Sequence, residues 1–242
     1  TRIYAATNGG GVYVSTNNAS NWSAINNGIV NGYVYEIGLN GSNLFAGTAG
    51  GIYNSINNGS TWNSVDVALE SASIKSLTAS GSNLFAGSYL NGIFLSNNNG
   101  TSWTRINNGL PPIIGGWALA TNGSNIFAGS SLGVYKSSNN GSNWTPINNG
   151  LATLNVLTLF VNGNDLYAGT SGGGIYKSSN GGTNWLPINN GLTTQTVSSL
   201  AGSGSNIFAG TGDGVFRSTN NGLNWNQASI GLGSSSVQSI FT

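Results

Sequence analysis

Cysteine and histidine are both absent from the 242 residues. Without cysteine there is neither a disulfide framework nor thiol chemistry, and without either residue the usual zinc and iron ligands are missing. No metal or cofactor site is expected, oxygen-only calcium sites being the one class that composition leaves open. The lack of histidine also removes every nucleophile–histidine dyad. Charge is nearly as scarce: Lys, Arg, Asp and Glu together make up 5% of the chain, against about 25% in ordinary soluble domains. A net charge of +1 with no basic cluster offers nothing to nucleic acid or to an anionic membrane, and no apolar run is long enough to span a bilayer. Helical periodicity is missing throughout, and no complete phosphate-loop or dinucleotide glycine motif occurs.

What the chain has instead is a phrase, Ser-x-Asn-x-Gly-x-x-Trp, written six times: Ser15 to Trp22, Ser55 to Trp62, Ser96 to Trp103, Ser137 to Trp144, Ser178 to Trp185 and Ser218 to Trp225. Its tryptophans stand 40 or 41 residues apart, a regularity that makes this a repeat protein. Each copy reads as a tight hairpin corner. The Asn can fold its amide back on the turn, the Gly permits φ > 0, and the Trp lays an apolar ring across the hairpin. The first copy carries Ala19 where the others have glycine, so it is expected to be the most strained.

A second phrase precedes each hairpin, as in Gly-Ser-Asn-Leu-Phe-Ala-Gly at 41 to 47 and 81 to 87. Turn residues followed by an apolar run give a hairpin entering a strand. With first strands expected at Val34 to Leu39, Ile74 to Ala79, Trp117 to Thr121, Val156 to Val161 and Val197 to Gly202, every period holds four short antiparallel strands, the make-up of a propeller blade. The chain opens in a second strand, Ile3 to Ala6, and closes on a first strand, Val237 to Phe241. Pairing of these two would complete a split sixth blade and close the ring. The expected fold is therefore all-β, a six-bladed β-propeller of four-stranded antiparallel blades, with residues 1–242 as a single domain.

The repeated phrase resembles the Asp-box, or bacterial neuraminidase repeat, which caps the outer hairpin of propeller blades. Asn stands here wherever that box has Asp, keeping the acceptor and removing the charge. The Asn-Gly-Leu-rich wording also resembles secreted repeat propellers of Bacteroidetes-like bacteria. The resemblance implies the propeller fold; function it leaves open, because that family spans sialidases, other glycosidases, lectins and sorting receptors. A sialidase gathers three arginines, but Arg105 and Arg217 fall at the periphery of different blades and Arg2 stands at the start of the chain, so that triad is not expected.

Internal repeats separate what holds from what works. The first-to-second and third-to-fourth turns are nearly invariant and share one face. The opposite face carries the glycine bends and the links between blades, and its wording changes: Val30-Asn31-Gly32-Tyr33, Glu70-Ser71-Ala72-Ser73, Tyr89-Leu90-Asn91, residues 111–116 and Gly212-Asp213-Gly214. One residue into each first strand the chain is equally uneven, with Tyr35, Lys75, Trp117, Leu157, Ser198 and Gln238. A neutral sugar needs an aromatic face and amide or hydroxyl partners rather than charge. The candidate ligand site is thus Trp117, Tyr33, Tyr35 and Tyr89 as platforms with Gln238, Gln195, Asn91, Glu36 and Asp213 as polar partners. The competing reading of the same residues is blade packing and loop solvation.

The leading expectation is a non-enzymatic, secreted or cell-surface module that binds a glycan or another surface protein, monomeric or part of a larger chain; a start at Thr1 with no signal peptide suits a processed product or an excised domain. The alternatives are a glycoside hydrolase using paired carboxylates among Glu36, Glu70 and Asp213, and a structural or adhesin repeat with no small ligand. The competing reading of these carboxylates is that they are solvated or paired with Lys75, and Asp66 and Asp165 read as local turn formers.

Overall fold

The structure is a computed structural model that describes residues 2–65, 69, 72–112, 117–232 and 236–240. It clusters into two compact units, Thr1–Asn107 with Pro111–Trp117, and Asn108–Leu110 with Ala118–Thr242. The first unit holds three antiparallel sheets: β1 (Ile3–Thr7), β2 (Gly11–Ser15) and β3 (Ser23–Ala24); β4 (Val34–Asn40), β5 (Asn43–Thr48), β6 (Gly51–Ser55) and β7 (Asn63–Ser64); β8 (Ile74–Ser80), β9 (Asn83–Ser88), β10 (Gly92–Ser96) and β11 (Thr104–Arg105). The second holds β12 (Ala118–Asn122), β13 (Asn125–Ser130), β14 (Gly133–Ser137) and β15 (Thr145–Pro146); β16 (Val156–Asn162), β17 (Asp165–Thr170), β18 (Ile175–Ser178) and β19 (Leu186–Pro187); β20 (Val197–Ser203), β21 (Asn206–Thr211), β22 (Gly214–Ser218) and β23 (Asn226–Gln227). Among the described residues these are six sheets of consecutive antiparallel strands and no α-helix, the all-β six-bladed propeller read from the repeats.

Each core lies between neighbouring sheets, which explains why the second strands read as unbroken apolar runs rather than alternating ones. In Asn43–Thr48 every residue after the first is buried, because both faces of the blade are covered. In the first unit Phe45 and Ile52 of one sheet pack with Ile74, Leu84, Phe94 and Trp103 of the next. In the second, Phe127 and Val134 pack with Val156, Leu166, Tyr176 and Trp185.

The hairpin phrase works in all six copies through two side chains. The serine Oγ, as in Ser178, accepts the backbone N–H of the fifth residue (Gly182, 2.9 Å) and donates to the Asn180 carbonyl oxygen at 2.8 Å. That oxygen in turn accepts the N–H of Asn184 at 3.0 Å. The fifth residue needs to be glycine for two reasons: Gly182 has φ +89°, and a Cβ there would collide with Ile147 of the preceding blade. Ala19 is held at φ +66° in the first copy, the strain expected from its side chain. Ala19→Gly should raise stability by about 1 kcal/mol in urea unfolding; a loss would show that the corner is relaxed.

The tryptophan departs from expectation. It does not only cover its own hairpin; it bolts its blade to the one before. Trp62 Nε1 donates to Ile25 O, Trp185 Nε1 to Ile147 O and Trp225 Nε1 to Ile188 O, each at 2.7 Å, while Trp103 Nε1 donates at 3.2 Å to Gly100 O within its own turn. The first asparagine of the Ile-Asn-Asn-Gly segment is a second clamp: Asn189 Oδ1 accepts Ile175 N–H at 2.7 Å and its Nδ2 donates to Gly173 O. Ser229 takes that place in the last blade, accepting from Val215 N–H at 2.8 Å. Asp66, at the corresponding point of an earlier blade, lies outside the described residues.

Residues 236–240 carry no strand assignment, and β1 belongs to a sheet of three strands among the described residues. Phe241 lies outside the described residues. Val237 nevertheless seats against the last blade: its N–H donates to Thr211 O at 2.9 Å, and its carbonyl oxygen lies 2.9 Å from where a Gly210 Cβ would stand. Closure of the ring by the chain ends is tested by deleting residues 237–242, which should broaden the unfolding transition and promote aggregation. An unchanged melting curve would show that the ends do not pair.

Candidate functional site

Four first strands share an irregularity that sets the site. The pairing register slips between Val34 and Glu36, Ile74 and Ser76, Val156 and Thr158, and Val197 and Ser199. Tyr35, Lys75, Leu157 and Ser198 are therefore β-bulge residues, turned out of the ladder and free to differ. This is the physical origin of the unevenness noted at that position.

Trp117 does not belong to the series. It occupies the place of the buried Val or Ile one residue earlier: its Cβ lies against Gly87 as Ile74 lies against Gly47, and β12 pairs in unbroken register from Ala118 on among the described residues. Its side chain is 2% exposed and its carbonyl accepts Ser76 Oγ–H at 2.6 Å. Trp117 thus takes the packing role, and no ligand can stack on a ring so covered. The loop before it, residues 113–116, lies outside the described residues.

Tyr35 and Lys75 do come together, in an arrangement the sequence reading missed. Lys75 Nζ sits 3.1 Å from the centroid of the Tyr35 ring and 5.8 Å from that of Tyr89. The ammonium occupies the Tyr35 face, so this ring anchors a cation and is not a sugar platform. Of the two structural readings of the carboxylates, pairing with Lys75 is not seen: among the described residues none lies within ion-pair distance of it. Tyr33 and Tyr89 remain as platforms, 50% and 48% exposed, beside exposed Leu90 and Val30. Backbone bonds fix both: Ala49 N–H donates to Tyr33 O at 3.0 Å and Tyr89 N–H to Ser73 O at 2.7 Å. Asn91 is tied at its backbone, its N–H to Ser88 Oγ and its carbonyl to Asn107 Nδ2.

Glu36 is partly buried on β4, and desolvation pushes its pKa from 4.5 up to about 7. No charged group is among the causes, so near neutrality much of it is an uncharged acid. Glu70, its nearest-numbered carboxylate partner in the glycosidase reading, lies outside the described residues.

The remaining candidates stand in the second unit. Gln195 shapes a glycine bend, its carbonyl accepting from Gly172 and Gly174 N–H and its side-chain oxygen from Asn189. Asp213 accepts Thr193 Oγ1–H at 3.1 Å, and exposed Gln238 donates to Ser236 Oγ. Two of the three have thus become loop formers. Asp165 proves more than a turn former: it pairs with Lys177 at 2.7 Å. Burial would raise its pKa, but hydrogen bonds from Lys177 and Ser179 and the Lys177 charge hold it below the usual value. Two of the arginines belong to different sheets: Arg105 on β11 lies over Phe94 of β10, and Arg217 on β22 bonds Asn206. An apolar cavity of about 70 Å³ between the second and third sheets, lined by Gly38, Phe45, Leu77, Leu84 and Trp103, includes none of the candidate residues. No group of His, Cys, Asp and Glu able to hold a metal occurs among the described residues.

Compared with known proteins, residues 118–238, half of the chain, match the DUF6242 beta propeller domain, and the chain belongs to that family. No curated protein matches it. Among solved structures it is similar to the GH74 xyloglucanase from Xanthomonas campestris (17% identity, TM-score 0.68, covering 92% of this chain and 43% of that one). It is also similar to the extracellular domain of BT4673 from B. thetaiotaomicron (17%, TM-score 0.77, 96% and 33%). A third is YCF48 from Cyanidioschyzon merolae (15%, TM-score 0.66, 94% and 80%). The chain thus spans less than half the length of the first two, and at these identities the likeness shows the fold alone.

Proposed function

We propose that this chain is a non-enzymatic, extracellular propeller module of the Asp-box type that binds carbohydrate through the loop face of its first unit. The observation that carries the reading is the pair of half-exposed rings, Tyr33 and Tyr89, on the face where the repeats diverge. Sugars stack their C–H faces on such rings, and held tyrosines offer a large contact at small entropy cost. The neighbouring BT4673 structure, itself an extracellular domain, supports the setting.

One observation favours a second reading, a glycoside hydrolase: Glu36, with a pKa of about 7, has the protonation of a general acid. A glycan array run beside a glycosidase panel separates the two. Binding without turnover supports the module, turnover lost in Glu36→Gln supports the hydrolase, and neither result leaves a structural repeat.

A further inference from the structure

We propose that the glycan this site takes is acidic, a uronic acid-containing chain, and that Lys75 is the residue that selects it. The inference rests on the carbohydrate reading above and names its substrate class.

Lys75 differs in its surroundings from the other cations. Arg105, Lys136, Lys177 and Arg217 stand on third or fourth strands, each over a Phe or Tyr ring, with Lys177 also paired to Asp165 and Arg217 also bonded to Asn206. Lys75 alone among these five is on a first strand, at a bulge that turns its side chain out of the ladder. Tyr35 of the neighbouring blade holds the ammonium on its face, and Tyr89 stands 5.8 Å away on the turn of Lys75's own blade. An ammonium already ordered on ring faces loses little further freedom on binding.

The spacing suits one sugar. Lys75 Nζ stands 5.8 Å from the Tyr89 centroid, within the span of a single sugar ring, so a pyranose stacked there with C6 turned toward the ammonium brings that substituent within its reach. A C6 carboxylate there accepts a charge-assisted hydrogen bond, whereas a neutral CH₂OH or methyl ester offers only an ordinary one. Selection comes from that difference, while stacking serves acid and ester alike.

The test uses galacturonate, glucuronate and mannuronate oligomers, each beside its methyl ester, with the wild-type chain, Lys75→Met and Lys75→Arg. Lys75→Met keeps the stem packed on Tyr35, and melting curves check that each variant folds. The wild type should bind at least one acid about tenfold tighter than its ester, an advantage that shrinks with added salt. Lys75→Met should lower the acid to the affinity of the ester and leave the ester unchanged, with Lys75→Arg retaining the preference. Equal affinity for acid and ester in the wild type, or a preference that survives in Lys75→Met, overturns the inference while carbohydrate binding stands. Absence of binding to these oligomers overturns it as well, and if a neutral-glycan array is also blank the carbohydrate reading falls with it.

Discussion

Replacing Trp185 by alanine is expected to cost about 3–5 kcal/mol in urea unfolding, the range for deleting a buried aromatic. Trp185 is 1% exposed, packs with Phe127, Val156 and Leu166, and donates its Nε1–H to Ile147 O of the preceding blade at 2.7 Å. The variant therefore opens a void between blades and removes the donor that this carbonyl had. Trp185→Phe keeps most of the packing, so its smaller loss measures the hydrogen bond and the indole's extra volume together. Trp22, in the same position of the first repeat, is 41% exposed, and Trp22→Ala should cost about 1 kcal/mol or less, the scale of an incompletely buried side chain. Equal effects at the two positions would mean that burial between blades is not what the tryptophan contributes.

The second large effect is a dependence on pH. Burial raises the Glu36 pKa from 4.5 to about 7, so the folded chain holds a proton there that the unfolded chain has released. A carboxyl raised in this way opposes folding once it ionises. Stability should fall as pH rises from about 4.5 to 7 and stay lowered above that window, by about 3–4 kcal/mol at roughly 1.4 kcal/mol per unit. Glu36→Gln, which keeps shape and polarity without the charge, should be near neutral at pH 5 and stabilising by a similar amount at pH 8. The Asp165–Lys177 pair titrates in the opposite sense, its contribution being lost only at acid pH, so the two do not overlap. A flat profile between pH 5 and 8 in the wild type would show that Glu36 reaches water.

Much of this architecture was legible because the repeats are nearly identical. A hairpin phrase returning every 40 or 41 residues demands one blade per copy, and apart from the expected closing strand at Val237 to Phe241 the strand positions followed to within about two residues. The phrase also announced its own corner, down to the strained Ala19. It did not disclose the partner of its tryptophan, because the carbonyl that receives the indole belongs to the previous repeat, about 37 residues away.

The site was legible only as a face. Divergent wording located Tyr33 and Tyr89 correctly on exposed loops, yet Trp117 was misjudged by one position. Among the described residues its strand pairs in unbroken register from Ala118 on, without the slip that its counterparts show, and such a difference leaves no mark on composition. Lys75 was visible as the one cation at the uneven first-strand positions. That it would lie on Tyr35 rather than pair with a carboxylate depends on how two bulges on adjacent blades aim their side chains, which one strand's sequence does not encode.

The central claim is that the divergent loop face does the work and the repeated corner face only holds the blades. Three proteins on one glycan array test it: the wild type, Tyr89→Ala and Asn221→Ala, the last on the corner face, where its backbone takes φ +58°. The account predicts that Asn221→Ala binds as the wild type does and Tyr89→Ala loses binding while keeping its melting curve. Binding that survives in Tyr89→Ala and disappears in a folded Asn221→Ala would contradict it.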